Sequence, residues 1–168
     1  MPITKDILHR FMKDHTCFIE TGTYEGDTAM WAVEEGFRYV YTVDLDEKRY
    51  NEAIKRFYPY PCVKVLRGNS PTILRDLLNN INVPIFFWLD AHPDYGDTPL
   101  IDELSVIGLH PIKNHTILID DMRCMGHNLL NVTKDAIHVA LRKINPDYSL
   151  VFIDDTCAKG DILAAVAK

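Results

Sequence analysis

The stretch CFIETGTYEGDT, residues 17–28, decides the fold. Its first three residues are apolar and lead to the carboxylate of Glu20, and a loop with glycines at positions 22 and 26 precedes a stretch with helical periodicity. This order predicts a buried strand, a tight turn and a helix. Gly22 and Gly26 permit the turn and a close approach of the backbone to a ligand, although a glycine pair also occurs in loops that only turn the chain. The loop reads G-x-x-x-G, so the dinucleotide fingerprint G-x-G-x-x-G is absent.

The alternation of short apolar runs with helical stretches continues to residue 153. It is typical of repeated β-α units, and strands that are apolar at nearly every position are covered by helices on both faces. We therefore predict a doubly wound α/β fold built on a parallel sheet. The predicted strands are Cys17–Glu20, Tyr39–Val43, Val63–Arg67, Ile85–Leu89, Thr116–Ile119 and Ser149–Ile153, with Ile162–Val166 as a weaker seventh. The predicted helices are Thr4–Lys13, Thr28–Glu35, Glu47–Phe57, Ile73–Leu78, Leu100–Leu109 and Val132–Ile144.

Length and composition favour one globular domain. The 168 residues leave little room for a second core, so we expect a single domain over residues 1–168, with an N-terminal helix within 1–14 and the core in 17–168. Hydrophobic residues make up 47% and charged residues 25%, which argues against disorder and fibrous structures. The net charge of −6 gives no general attraction to nucleic acid or to a membrane surface. The N-terminus is charged throughout and has no apolar signal region, so we expect a cytoplasmic location.

Polar residues follow the predicted strands at the edge where ligands of an open α/β sheet bind. Strand two runs into Asp44, 24 residues after Glu20, and an acid at this place can accept hydrogen bonds from both hydroxyls of a ribose. We favour Asp44 for this role, whereas Asp46 fits a cap of the following helix better. Strand three runs into Asn69, which could hydrogen-bond an adenine edge, but the sequence around it is also that of an ordinary turn.

The runs FIETGTYEGDTA, YTVDLDEKRYNEAIKRF, VLRGNS and FFWLDAH, in this order, resemble the successive motifs of class I S-adenosylmethionine-dependent methyltransferases. The resemblance covers nearly the whole chain and implies a Rossmann-like, mostly parallel seven-stranded sheet with a reversed final strand. It implies that the loop after strand one receives the methionine part of the cofactor, that Asp44 holds the ribose and that Asn69 lies beside adenine. Family members often have an acid where Asn69 stands, and an amide can partly replace it as a hydrogen-bond partner. The cofactor-binding residues that the resemblance implies are Glu20, Gly22, Thr23, Tyr24, Gly26, Asp44, Leu45, Asn69, Ser70 and Asp90.

Acidic residues crowd the ends of predicted strands four and five, which read LDAH and IDD. Between positions 90 and 121 there are seven acids and one lysine, Lys113. Such crowding is costly without a cation or bound protons, and oxygen ligands suit a hard divalent ion such as Mg²⁺. The pattern Asp90-x-His92 followed by Asp120-Asp121 further resembles small-molecule and sugar O-methyltransferases with an acidic metal site. The resemblance implies that Asp90, Asp120 and Asp121 hold a metal, which in turn holds a substrate hydroxyl and eases its deprotonation.

His92 and Asp90 are the predicted catalytic residues. A neutral imidazole near pH 7 can act as a base or as an additional metal ligand. His92 directly precedes Pro93 and also fits an ordinary loop histidine, while Asp121 also fits a helix cap or a partner of Arg123.

Aromatic residues and two loops lie near the predicted mouth of the site. Tyr24, Trp88 and Tyr95 could cover the cofactor or a flat acceptor, although Trp88, inside strand four, fits core packing better. Segments 93–98 and 122–131 are candidate mobile rims, and Arg123 in the second could reach an anionic group of a substrate.

These observations predict an S-adenosylmethionine-dependent methyltransferase that methylates oxygen of a small-molecule or sugar-like acceptor, with Mg²⁺ as a candidate helper. Almost no chain remains for a substrate-enclosing cap, so the acceptor could be open to solvent, enclosed at the subunit interface of a homo-oligomer, or carried on something larger. Alternatives are an N-methyltransferase or protein-modifying enzyme of the same fold, a noncatalytic nucleoside-binding module and, disfavoured by the glycine spacing, a nicotinamide-dependent oxidoreductase. The crowded acids argue against nucleic acid as the acceptor and no apolar run is long enough for a membrane span.

Overall fold

A computed structural model of the protein describes residues 3–93, 96–126, 130–154 and 158–167. Within these ranges one sheet contains seven strands. The strands are β1 Cys17–Thr21, β2 Tyr39–Asp44, β3 Val63–Arg67, β4 Ile85–Leu89, β5 Thr116–Ile119, β6 Ser149–Ile153 and β7 Ile162–Val166. Their order across the sheet is β3-β2-β1-β4-β5-β7-β6.

The first five strands are parallel, and β7 runs antiparallel to both of its neighbours, β5 and β6. Ile119, the last residue of β5, lies opposite Leu163 near the start of β7. The beginning of β7 therefore lies at the edge of the sheet where the parallel strands end. The residues just before β7 join the predicted ligand-binding edge for this reason.

Helices cover both faces of the sheet, and alternate strand residues point into two separate cores. In β4, Ile85, Phe87 and Leu89 pack into one core, and Phe86 and Trp88 pack into the other. The helices of the first core are α4 Ser70–Leu78, α5 Leu100–Leu109 and α6 Lys134–Ile144, and those of the second are α1 Lys5–Met12, α2 Asp27–Glu34 and α3 Glu47–Phe57. None of the described helices is long and apolar enough to cross a membrane.

This architecture confirms the predicted doubly wound, mostly parallel seven-stranded sheet, including its reversed final strand. The largest shift of a predicted boundary is at α4, which begins at Ser70 instead of Ile73. The cause is Asn69, whose side chain accepts a hydrogen bond from the Thr72 backbone N–H at 3.4 Å and so caps the helix. Pro71 fits the first turn because that turn needs no backbone donor from it.

Candidate functional site

The order of the strands reverses at β1, which has β2 on one side and β4 on the other. Ligands of open α/β sheets bind at such a point. A cavity of about 260 Å³ opens there, at the carboxyl ends of the strands. Its walls are Glu20 and residues 22–28 after β1, Asp90 after β4, and Asp120, Asp121 and Arg123 after β5. The predicted residues Asp44, Leu45, Asn69 and Ser70 do not line this cavity.

The glycine loop is fixed by its close approach to the end of β4. Gly22 has a φ of +86°, and a Cβ atom added to it would lie 2.5 Å from the Asp90 carbonyl oxygen. Any side chain at this position would therefore force the loop away from β4. The Gly22 N–H donates to the Val43 carbonyl at 2.9 Å, so the same residue also ties the loop to β2.

Asp44 is buried at the end of β2, where two backbone amides orient its carboxylate. The Tyr24 N–H donates to Oδ2 at 3.0 Å, and the Asp46 N–H donates to Oδ1 at 2.9 Å. Each oxygen keeps a second lone pair for another donor. Asp46 accepts a hydrogen bond from the Arg49 N–H at 2.8 Å, which confirms that it caps α3. Leu45 lies between the two acids and is 70% exposed.

Glu20 is a buried carboxyl at the floor of the cavity. The Thr42 hydroxyl donates to its Oε2 at 2.6 Å, and the Thr42 and Thr23 hydroxyl oxygens lie 2.6 Å apart. Burial raises the pKa of Glu20 to about 8, more than the Thr42 hydrogen bond lowers it. A group with positive charge that reached this carboxylate would remove part of the cost of its ionisation.

The side chains of Asn69 and Ser70 make hydrogen bonds to other residues of the protein. Asn69 caps α4, and its Oδ1 also accepts a hydrogen bond from the Thr72 hydroxyl at 3.2 Å. The Ser70 hydroxyl donates to Glu103, a residue of α5 that is 1% exposed. The sequence suggested that the Asn69 side chain contacts an adenine edge. Such a contact would compete with the hydrogen bonds by which this side chain caps α4.

His92 connects the carboxylates of Asp121 and Asp90. Its Nε2 lies 2.6 Å from Asp121 Oδ2 and 3.7 Å from Asp90 Oδ1, and its Nδ1 lies 2.8 Å from the Pro93 carbonyl. A carboxylate and a carbonyl only accept hydrogen bonds, so both ring nitrogens donate and the ring is an imidazolium. The hydrogen bond to Asp121 is the main reason that the pKa of His92 rises to about 9. The neutral imidazole that the sequence suggested is therefore not the main form at pH 7.

The pKa of Asp90 is shifted in the opposite direction to that of Asp121. Burial raises the pKa of Asp90 to about 7, and the charge of His92 offsets part of that rise. The Asp121 pKa is lowered, chiefly by the hydrogen bond from His92 and despite its own burial. Two neighbouring carboxyls thus have pKa values that their surroundings push apart, which is a common property of acid and base sites.

The predicted metal-binding trio Asp90, Asp120 and Asp121 does not meet as one ligand set. Among the described residues, the groups whose ligand atoms lie within 4.8 Å of one another are Asp90, His92 and Asp121, and Asp120, Asp121 and Asp161. Both oxygens of Asp121 already have partners, since Oδ2 contacts His92 at 2.6 Å and Oδ1 contacts Arg123 at 2.7 Å. Two of the three predicted metal ligands, Asp90 and Asp121, therefore lie together with His92, whereas Asp120 lies in the other group.

Sequence reasoning did not name the wall residues Glu25, Asp27 and Thr28, and it also missed Asp161, the partner of Arg123. Asp161 precedes β7 and is fully buried, and its carboxylate accepts the Arg123 backbone N–H at 2.7 Å and pairs with the Arg123 guanidinium. A reversed final strand places the residue before it at the carboxyl edge of the parallel strands. The predicted topology therefore contained a signal that could have identified Asp161.

The aromatic residues near the cavity divide as follows. Trp88 is fully buried in the core, as its position inside β4 predicted. Tyr24 is 58% exposed, and the Arg49 guanidinium lies over its ring at 4.7 Å. Tyr95 lies outside the described residues, as do parts of both candidate rims, residues 94–95 and 127–129.

No protein-family model and no curated protein matches the sequence. Solved structures, in contrast, match over nearly its whole length. An O-methyltransferase from Bacillus cereus in complex with SAH superposes with a TM-score of 0.68 at 16% identity, over 98% of this chain and 78% of that one. The O-methyltransferase TomG from Streptomyces achromogenes in complex with SAM gives 0.67 at 15%, over 98% and 79%. The chain has the class I methyltransferase fold.

The methyltransferase fold is shared by structures with different acceptors. An rRNA methylase from Streptococcus thermophilus superposes with a TM-score of 0.61 at 10% identity, over 97% of this chain and 93% of that one. At these identities the likeness establishes the fold, and the acceptor has to be argued from the site.

Proposed function

We propose that residues 1–168 form a single S-adenosylmethionine-binding unit that transfers the cofactor's methyl group to an oxygen of a small-molecule or sugar-like acceptor. One observation carries this proposal. Glu20 and Asp44, two buried acids at the ends of adjacent strands, flank the glycine loop at the switch point of a methyltransferase fold. The amino group and the ribose hydroxyls of the cofactor are hydrogen-bond donors, so this pair of acceptors fits them.

The residues around the cofactor have different tasks in this proposal. Glu20 and the loop residues Gly22, Thr23, Tyr24 and Gly26 receive the methionine part, and Glu20 pairs with its amino group. Asp44, held by two backbone amides, accepts the ribose hydroxyls. The exposed side chain of Leu45 and the backbone at Asn69 and Ser70 form the wall beside adenine.

Asp90 is our candidate for the base. When bound, S-adenosylmethionine supplies a methyl group on a positively charged sulfur. The Asp90 carboxylate accepts the proton of the acceptor hydroxyl while that oxygen bonds to the methyl carbon and the carbon–sulfur bond breaks. A pKa of about 7 suits a base that works near neutral pH. The imidazolium of His92, 3.7 Å from Asp90, orients this carboxylate and stabilises its charged form.

The charge around the cavity favours an acceptor without phosphate groups. Six carboxyl residues and one arginine, Arg123, line it. Phosphates would be repelled at this short range, since screening by salt acts mainly over longer distances. We therefore expect the methyl acceptor to be a hydroxylated small molecule or a sugar rather than RNA. No step of the proposed reaction depends on a metal.

The first test is calorimetric titration of the protein with S-adenosylhomocysteine, with NAD⁺ as a control ligand. We expect binding of S-adenosylhomocysteine and none of NAD⁺. Binding of neither ligand would contradict the proposed pocket.

The second test is methyl transfer from radiolabelled S-adenosylmethionine to a panel of phenols, sugars, amines, peptides and transcribed rRNA. We expect label in hydroxylated small molecules and a strong loss of that label in Asp90→Asn. Label in amines, peptides or RNA alone would replace the proposed acceptor class. Tight cofactor binding with no labelled acceptor would indicate a noncatalytic nucleoside-binding module.

A further inference from the structure

The turn after β5 is built around Arg123 and two acids. The guanidinium contacts Asp121 Oδ1 through Nη2 at 2.7 Å and pairs with the Asp161 carboxylate through Nη1. Asp161 also accepts two backbone N–H groups of the turn, that of Arg123 on its carboxylate at 2.7 Å and that of Met122 on its carbonyl at 2.9 Å. The arginine is thus fixed at both its backbone and its side chain by one buried residue.

The backbone of the turn is strained at Asp121, which contacts Arg123. Asp121 has a φ of +55°, a left-handed conformation that residues other than glycine seldom adopt. Its carbonyl accepts the Cys124 N–H at 2.8 Å, which closes the turn. The strained conformation directs the Asp121 carboxylate towards His92 on one side and Arg123 on the other.

Two neighbouring carboxylates repel each other unless a cation lies between them. Ligand atoms of Asp121 and Asp161 lie within 4.8 Å of each other, and with Asp120 they form one of the two groups that resemble a metal site. A planar guanidinium can hydrogen-bond two carboxylates at once, which a point charge such as an ammonium does less well.

We propose that Arg123 is the resident cation of this acidic cluster and takes the place of a divalent metal between Asp121 and Asp161. The positive charge that the crowded acids require is then supplied by the chain itself, through Arg123. A metal at this position would have to displace the guanidinium. A metal ion in solution can approach the cluster, because 45% of the Arg123 side chain is exposed. The proposal concerns the charge of the cluster and is independent of methyl transfer.

The test is a titration of the full chain with Mn²⁺, followed by electron paramagnetic resonance of the free ion. We compare the unmodified protein with Arg123→Met, which removes the charge at similar length, and Arg123→Lys, which keeps it. We expect weak Mn²⁺ binding to the unmodified protein and to Arg123→Lys, and affinity at least about tenfold higher for Arg123→Met. Adding Asp161→Asn to Arg123→Met should remove the gain. Arg49→Met, which removes an arginine beside Tyr24, serves as the matched control and should gain nothing.

Two results would overturn the proposal. One is tight Mn²⁺ binding to the unmodified protein that Asp121→Asn abolishes, because the metal would then occupy the cluster despite Arg123. The other is a folded Arg123→Met protein, checked by circular dichroism, with no gain in Mn²⁺ affinity. If Arg123→Met does not fold, the titration of the unmodified protein and of Asp121→Asn decides alone.

Discussion

Buried titratable groups lie at both edges of the sheet, and the two edges treat them differently. At the amino edge, the Ile85 N–H donates to His115 Nδ1 at 3.0 Å, so the proton of His115 lies on Nε2, 3.1 Å from His110 Nδ1. His110 must then carry its proton on Nε2, which donates to the Ile81 carbonyl at 2.8 Å. Every ring nitrogen has a partner, and both rings are neutral.

At the carboxyl edge the acids outnumber the cations. Glu20 and Glu103 are buried and Asp90 is half-buried, and the loss of solvent raises their pKa values to about 8, 7 and 7 in the order Glu20, Asp90 and Glu103. A buried network with all its partners stabilises a fold, whereas a group of acids with raised pKa values costs stability and is typical of sites that bind or react. The contacts of the two histidines are those of a structural pair, whereas the acids are our candidates for binding and reaction, and this contrast can be tested edge by edge.

The largest effect should follow removal of His115. His115→Ala leaves a buried cavity and an unpaired Ile85 N–H, so we expect the free energy of unfolding to fall by about 3 kcal/mol. Denaturant unfolding at pH 7 measures it. His9→Ala is the control, since this imidazole is 79% exposed, and its effect should stay within about 0.5 kcal/mol. Equal effects of the two substitutions would show that the amino-edge pair has no structural role.

Loss of Asp44 should affect binding more than folding. Asp44→Ala removes the acceptor that we assign to the ribose, and we expect affinity for S-adenosylhomocysteine to fall about 30-fold, or ~2 kcal/mol. Calorimetry measures it. Asp46→Ala, two residues away, should keep the affinity and lose about 1 kcal/mol of stability with its helix cap. Unchanged affinity in Asp44→Ala would place the ribose elsewhere.

Replacement of Glu20 should separate stability from binding. The folded pKa of about 8 lies above the ordinary 4.5, so the unfolded chain ionises first and stability falls as pH rises from 4.5 to 8. Glu20→Gln removes this dependence, and we expect it to raise the free energy of unfolding at pH 7 by roughly 2 kcal/mol while it weakens cofactor binding. Chemical unfolding at pH 5 and 7 checks the first effect. A variant that is less stable than the unmodified protein at pH 7 would contradict the assignment.

The smallest expected effect is the pH dependence of stability that comes from His115, and it is opposite in direction to that of Glu20. Burial lowers the folded pKa of His115 from 6.5 to about 3, so stability from the neutral ring is present above pH 6.5 and is lost as pH falls towards 3. His115→Asn keeps an acceptor for the Ile85 N–H and does not titrate. Between pH 6.5 and 5 the unmodified protein should lose about 1.5 kcal/mol more than this variant. Parallel pH profiles of the two proteins would count against the neutral histidine pair.

The sequence predicted the architecture because the fold depends on periodic patterns. Strands such as β4 are apolar at every position, and the boundaries of β3 to β7 agree with those of the structure. The predicted end of β2 likewise placed Asp44 at the carboxyl edge of the sheet, where the structure has it, since the strand and its acid are adjacent in sequence. The predicted start of α4 was too late because the helix is capped by Asn69, a residue that we had considered as a partner of adenine.

The site was less predictable because its chemistry depends on contacts between distant residues. The charge of His92 is set by Asp121, 29 positions later, and by the Pro93 carbonyl. The predicted metal trio is divided between two groups of ligand atoms, and the second group includes Asp161, which lies 38 positions after its partner Arg123. Sequence patterns identified the acids and offered Arg123 as a partner of Asp121, which the structure confirms, but they did not reveal the contact of His92 with Asp121 or that of Arg123 with Asp161.

The position of β7 between β5 and β6 has a consequence for folding of the protein. Each of β2 to β5 pairs with a strand that precedes it in the sequence, whereas the pairing of β6 among the described strands is with β7, which follows it. A folding intermediate in which β7 has not yet docked therefore leaves β6 unpaired and one edge of β5 open. Open edges are templates for pairing with other chains, so a substitution that slows the docking of β7 should increase aggregation during refolding.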